Sequence, residues 1–128
     1  MCTNFTIEFR GDYIYVRHAS DFEFTPEYTA SFWSALGDEC QTYNCRHVLR
    51  EGRFSLRKMN LLEAYNSAIQ AANVISGLRV ACCFKDHTED EMTKFFKMAA
   101  SNRGVEIEFF SDCQAALFWL GVENYQSN

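Results

Sequence analysis

Five of the chain's twelve lysines and arginines, Arg46, Arg50, Arg53, Arg57 and Lys58, fall within thirteen residues, opposed there only by Glu51. Guanidinium forks beside a helix start suit a phosphate or a carboxylate, because the first helical N–H groups lack partners within the helix. Ser55 stands inside this run and reads as the N-cap of the longest helix. Arg50, Arg53, Ser55 and Arg57 are therefore the candidate site for an anion, a partner or a modification. The competing reading is a solvated helix face with a plain cap, since charge runs usually serve solubility.

A second cluster is aromatic. Phe22, Phe24, Tyr28, Phe32 and Trp33 crowd the segment between the second strand and the first helix, and they suit an apolar ligand or a dimer surface. Ordinary core packing is the alternative, because large aromatics dominate the cores of small domains. An exposed patch decides between the two.

Other constellations fall short of chemistry. Ser55, Asp86 and His87 supply the residue types of a hydrolytic relay, but adjacent Asp and His seldom align as one, and no nucleophile elbow is present. Cys40, Cys45 and His47 lack both zinc-ligand spacing and a redox Cys-x-x-Cys. With no glycine-rich phosphate loop either, no catalytic or metal residues are assigned, and no cofactor is expected. Arg10-Gly11-Asp12 has the chemistry of a tight turn.

The bulk composition narrows the class. At 128 residues, 48% hydrophobic and 16% aromatic, with a single Pro, the chain fits one globular domain over 1–128, with its core at about 4–121. A formal charge of -5 argues against a generic nucleic-acid binder. Neither a leader nor an apolar run long enough for a membrane span is visible, so a cytoplasmic protein is expected. The six cysteines show no framework spacing and read as reduced thiols that pack like small apolar residues.

The elements that must position these residues follow from periodicity. Phe5, Ile7 and Phe9 alternate with polar residues, and after Gly11-Asp12 a second alternation through Tyr13 to Arg17 completes a hairpin. Thr25-Pro26 opens a helix to about Cys40, with Gly37 able to bend it or end it early. Arg46 to Arg50 is a third strand. Ser55 then caps a helix from Leu56 to about Ser76, followed by Gly77. Leu78 to Phe84 is apolar enough for a parallel strand buried on both faces. A Thr88/Glu91 capping box opens a helix to Asn102 or Arg103, and Val105 to Phe110 is a strand at a sheet edge. A Ser111/Gln114 box opens the last helix, closed by Gly121. The order is ββαβαβαβα, an α/β fold with a mostly parallel five-stranded mixed sheet and four helices.

Four segments carry a family resemblance: Gly52-Arg53-Phe54-Ser55-Leu56, Gly77-Leu78-Arg79-Val80-Ala81, Asn102-Arg103-Gly104-Val105, and Ala115-Ala116-Leu117-Phe118-Trp119-Leu120. From about Phe5 to Gly121 the chain resembles the bacterial SpoIIAA-like domains, relatives of the STAS (sulphate transporter and anti-sigma factor antagonist) and CRAL-TRIO folds. The resemblance implies a right-handed β-α superhelix and a cytosolic, non-enzymatic interaction or regulatory module acting through a protein partner or a homodimer. Ser55 matches the place where STAS antagonists carry a phosphorylated serine, although Phe54 precedes it where they carry Asp. The CRAL-TRIO relationship implies the alternative, a carrier of a small apolar or lipid-like ligand.

Overall fold

The hairpin forms where the alternation places it. The computed structural model describes residues 5–19, 23, 25–53, 59–84 and 89–122. Strand β1 (Phe5–Phe9) pairs antiparallel with β2 (Ile14–His18), Ile7 opposite Val16. Gly11 takes φ +90° in the connection, a region that side chains disfavour.

Helix α1 (Pro26–Tyr43) begins as its sequence dictates, with the Thr25 side chain accepting from Tyr28 N at 3.1 Å and Pro26 at the first helical position. It passes through Gly37 and stops only where Asn44 turns left-handed, φ 49° and ψ 47°. The end expected near Cys40 is therefore three residues early. One interior glycine costs about 1 kcal/mol relative to alanine, too little to end a helix whose Phe32, Trp33, Leu36 and Cys40 are buried.

Beyond it come β3 (His47–Gly52), α2 (Leu61–Ala72), β4 (Arg79–Phe84), α3 (Glu91–Ser101), β5 (Glu106–Phe110) and α4 (Cys113–Leu120). The five-stranded sheet runs β1-β2-β3-β4-β5, with β2 to β5 parallel. The expected α/β class, element order and mostly parallel mixed sheet are all present.

Adjacent parallel strands joined by crossovers of one hand must carry their helices on one face. Accordingly α1, α2 and α3 share a core with Ile14, Val16, Val48, Val80, Cys82, Phe84 and Ile107. Helix α4 covers the opposite face, where Leu117 and Leu120 pack with Tyr13, Leu49, Ala81 and Cys83. β5 lies at the sheet edge, with Glu106 bonded to Arg79 and Glu108 to Lys97, each at 2.7 Å.

Three helix starts differ from expectation. α2 does not run from Leu56: Met59 and Asn60 are non-helical, and Asn60 is the N-cap. Its side chain accepts from Glu63 N at 2.8 Å while the Glu63 carboxylate accepts from Asn60 N at 3.2 Å, a complete capping box. α3 is capped by Asp90, which accepts from Thr93 N at 2.8 Å, and α4 by Asp112, which accepts from Gln114 N at 3.1 Å. In all three, an Asn or Asp nearer the first periodic residue displaces the Ser or Thr chosen from sequence.

The reduced-thiol expectation is also corrected. Cys83 and Cys113 form a disulfide with Cα atoms 5.4 Å apart, while Cys40, Cys45 and Cys82 are free and buried. Cys82 and Cys83 are neighbours in sequence, but strand pleating points them to opposite faces. Cys83 therefore meets the first residue of α4, and Cys82 stays in the α1–α3 core. Among the described residues, no helix is long and apolar enough to cross a membrane.

Candidate functional site

Strand alternation decides where the basic stretch points. Val48 and Arg50 share parity and face the three-helix side, whereas Leu49 faces α4. Arg50 is consequently an interior residue, 5% exposed, with its guanidinium carbon 4.2 Å from the Phe32 ring centre, 5.5 Å from that of Trp33 and 5.7 Å from that of Phe84. Burial lowers its pKa, yet guanidinium basicity is large enough to keep the charge. Aromatic faces on several sides lend it cation–π stabilisation.

His18 sits beside it. The β2–β3 register brings the end of β2 against Gly52, where an added Cβ would lie 3.1 Å from the His18 Cβ, so glycine permits the close approach. Arg50 Nε donates to His18 Nε2 at 3.0 Å. Because arginine has only donors, Nε2 must be the bare nitrogen, and Nδ1 carries the proton that it donates to the Tyr28 hydroxyl. Burial, assisted by the Arg50 charge, brings the His18 pKa down to about 2, in accord with a neutral ring. Burial likewise raises Tyr28, and it pushes the Cys82 thiol up to about 11 against the pull of Arg50.

Above this network, α1, α2 and α3 enclose a cavity of about 70 Å³ at the carboxyl ends of β3 and β4. Its apolar wall includes Phe32, Trp33, Ala64, Phe84, Phe96 and Phe109, and Arg50 also lines it. The lining grades from fully buried Phe32 and Phe84 to half-buried Met59, Asp90 and Met92, which mark the rim. Among the described residues, the polar groups in the wall include Ser67, Thr93, Asp90 and Thr29. Ser67 Oγ accepts from Trp33 Nε1 at 2.8 Å, and Thr93 Oγ1 donates to Asp90 Oδ1 at 2.9 Å. Thr29 is 6% exposed, and its Oγ1 has no hydrogen-bond partner among the described residues.

The titratable groups of the network are already committed. Both ring nitrogens of His18 are engaged, and Cys82 is held as the thiol, the weak form of the nucleophile. The cavity offers apolar contact and a buried positive charge. Among the described residues, no group of His, Cys, Asp and Glu is placed to hold a metal.

The described residues of the basic run do not share one surface. Arg46 lies at the opposite end of β3, donating to Ser76 O at 2.7 Å and Asn44 Oδ1 at 3.1 Å. Arg50 is inside, Arg53 is exposed past the end of β3, and Ser55 and Arg57 lie outside the described residues. Of the aromatic cluster, Tyr28, Phe32 and Trp33 line the cavity, while Phe22 and Phe24 lie outside the described residues. Sequence reasoning missed Thr29, Ser67, Thr93 and Phe96. For Thr29 a signal existed, since it stands three and four residues before Phe32 and Trp33 on one helix face. The bond between Trp33 and Ser67 spans 34 positions and left no local trace.

Compared with known proteins, the chain matches no family model and no curated protein.

Proposed function

We propose that this chain is a binding module for a small, mainly apolar ligand, held between α1, α2 and α3 over the Arg50–His18–Tyr28 network. The observation that carries the reading is the cavity itself: an aromatic-walled space of about 70 Å³ at the carboxyl ends of parallel strands, a usual place for ligands in open α/β sheets. A cavity of about 150 Å³ accommodates a whole benzene. The enclosed part here therefore suits one end of a ligand, with the remainder at the rim by Met59 and Met92. The consecutive sheet order, with three helices on one face, supports a STAS-like or CRAL-TRIO-related superhelix as the parent architecture.

The test is a titration with toluene followed by backbone amide shifts. Saturable shifts at Thr29, Phe32, Ala64, Ser67 and Phe96, with a dissociation constant in about the millimolar range, are expected for so few atoms. They should vanish in Ala64→Leu, which fills the space. Shifts that are absent, scattered or unchanged in that variant would contradict the reading.

A second reading keeps Arg53, exposed at the end of β3, as part of a surface for an acidic partner or a second copy, as STAS-like modules use. Its test is retention of a partner by the native chain and loss in Arg53→Glu; equal retention by both removes Arg53 from the surface.

A further inference from the structure

The sheet face opposite the cavity carries a second cluster of reactive groups. Strand pleating sends Leu49 and Glu51 to the α4 side together, and the β3–β4 register sets Glu51 opposite Cys83. Cys113, the first residue of α4, closes the disulfide over this spot, and Glu51 Oε2 lies 3.7 Å from its Sγ. The other carboxylate oxygen accepts from the Tyr15 hydroxyl. Burial first, and then the bond to Glu51, push the Tyr15 pKa up to about 12, so the phenol remains a donor that holds the carboxylate in place.

A disulfide sulfur bears no hydrogen, so the contact between Glu51 and Cys113 is not a hydrogen bond while the disulfide is intact. Reduction gives Cys113 an S–H, and the same contact then becomes one. The carboxylate is therefore placed to serve the dithiol form. The two sulfurs also differ in access, since Cys83 is fully buried whereas Cys113 is half-buried.

We infer that Cys83–Cys113 is a redox-active pair that exchanges with an external dithiol while the chain stays folded, with Cys113 as the sulfur attacked and Glu51 as the acceptor that favours its reduced form. A thiolate of the dithiol attacks Cys113 Sγ, the S–S bond breaks, and its electron pair leaves on Cys83 Sγ, which takes up a proton. The second thiolate of the dithiol then attacks its own partner sulfur in the mixed disulfide. Cys113 leaves with that electron pair, takes up a proton and, as the thiol, donates to Glu51. The dithiol is oxidised to its own disulfide, and the protons it loses balance those gained by the two cysteines.

The experiment uses dithiothreitol as the dithiol, counts free thiols by alkylation and mass spectrometry, and follows the fold by the amide spectrum. The native protein should be reduced with its folded spectrum kept. The ratio of reduced to oxidised dithiothreitol at half-reduction should rise about fivefold in Glu51→Ala, the effect of one hydrogen bond, and should rise less in Glu51→Gln, which keeps an acceptor oxygen. Should Glu51→Ala not fold, Glu51→Leu takes its place with the same expected rise. With oxidised glutathione and peptide mapping, Cys83→Ser should form the mixed disulfide at Cys113 about tenfold or more faster than Cys113→Ser forms one at Cys83. Reduction that occurs only where the folded spectrum is lost, or equal rates at the two cysteines, overturns the exchange centre. The same half-reduction ratio in the native protein, Glu51→Ala and Glu51→Gln overturns the role of Glu51.

Discussion

Burial and the neighbouring Arg50 charge together keep His18 neutral, with its pKa at about 2 against an ordinary 6.5. The unfolded chain takes up this proton below pH 6.5, whereas the native chain resists it until about pH 2, so the native state loses stability as pH falls through that window. Between pH 7 and pH 5 the loss from this one group is about 2 kcal/mol. Urea unfolding at both pH values should show His18→Gln losing that much less than the native protein; equal losses would mean that His18 titrates normally in the fold. At Thr29 the expectation has the opposite sign from most core substitutions. Thr29→Val should raise the stability of the ligand-free protein by about 1 kcal/mol, since it removes an unpaired hydroxyl at constant shape. A fall on chemical denaturation would show that the hydroxyl is bonded in solution.

At the scale of elements, caps and one covalent link set the frame around the cavity. Asn60 satisfies the first turn of α2, the helix that carries Ala64 and Ser67 into the wall. Asn60→Ala should cost about 1 kcal/mol, seen as faster amide exchange in the first turn of α2. α4 is joined to β4 by Cys83–Cys113, closing a separation of 30 residues. In the chain-entropy account such a loop contributes about 3–4 kcal/mol, so a reductant should lower the unfolding midpoint of the native protein and leave Cys113→Ser unchanged. These features also show where sequence legibility ends. Helical periods, the alternation of β1, β2 and β5 and the apolar run of β4 located these elements, because each is a local pattern. The starts of α2, α3 and α4 were missed because Ser, Thr, Asn and Asp all cap well, and only the tertiary position of the first buried residue selects among them. The disulfide was missed because its 30-residue separation leaves no local pattern, and only the packing of α4 on the face opposite the other helices brings Cys113 to Cys83.

For the molecule as a whole, the same sheet geometry explains where Arg50 lies. A strand with parallel neighbours on both sides and helices over both faces has no solvated side, so alternation in β3 sends Arg50 inward as surely as Val48. Read along the sequence, Arg50 joined a basic surface; in the fold it becomes the charged floor of an aromatic cavity. Tyr28, Phe32 and Trp33 were legible as a cluster, but their shared boundary with Ala64, Ser67 and Phe96 depends on three helices lying side by side. Xenon enters apolar cavities, so a crystal structure of the protein under xenon pressure shows whether this space receives an apolar ligand. A xenon peak is expected between Phe32, Trp33, Ala64 and Phe96, abolished in Ala64→Leu. A filled or collapsed space with no xenon there would contradict it.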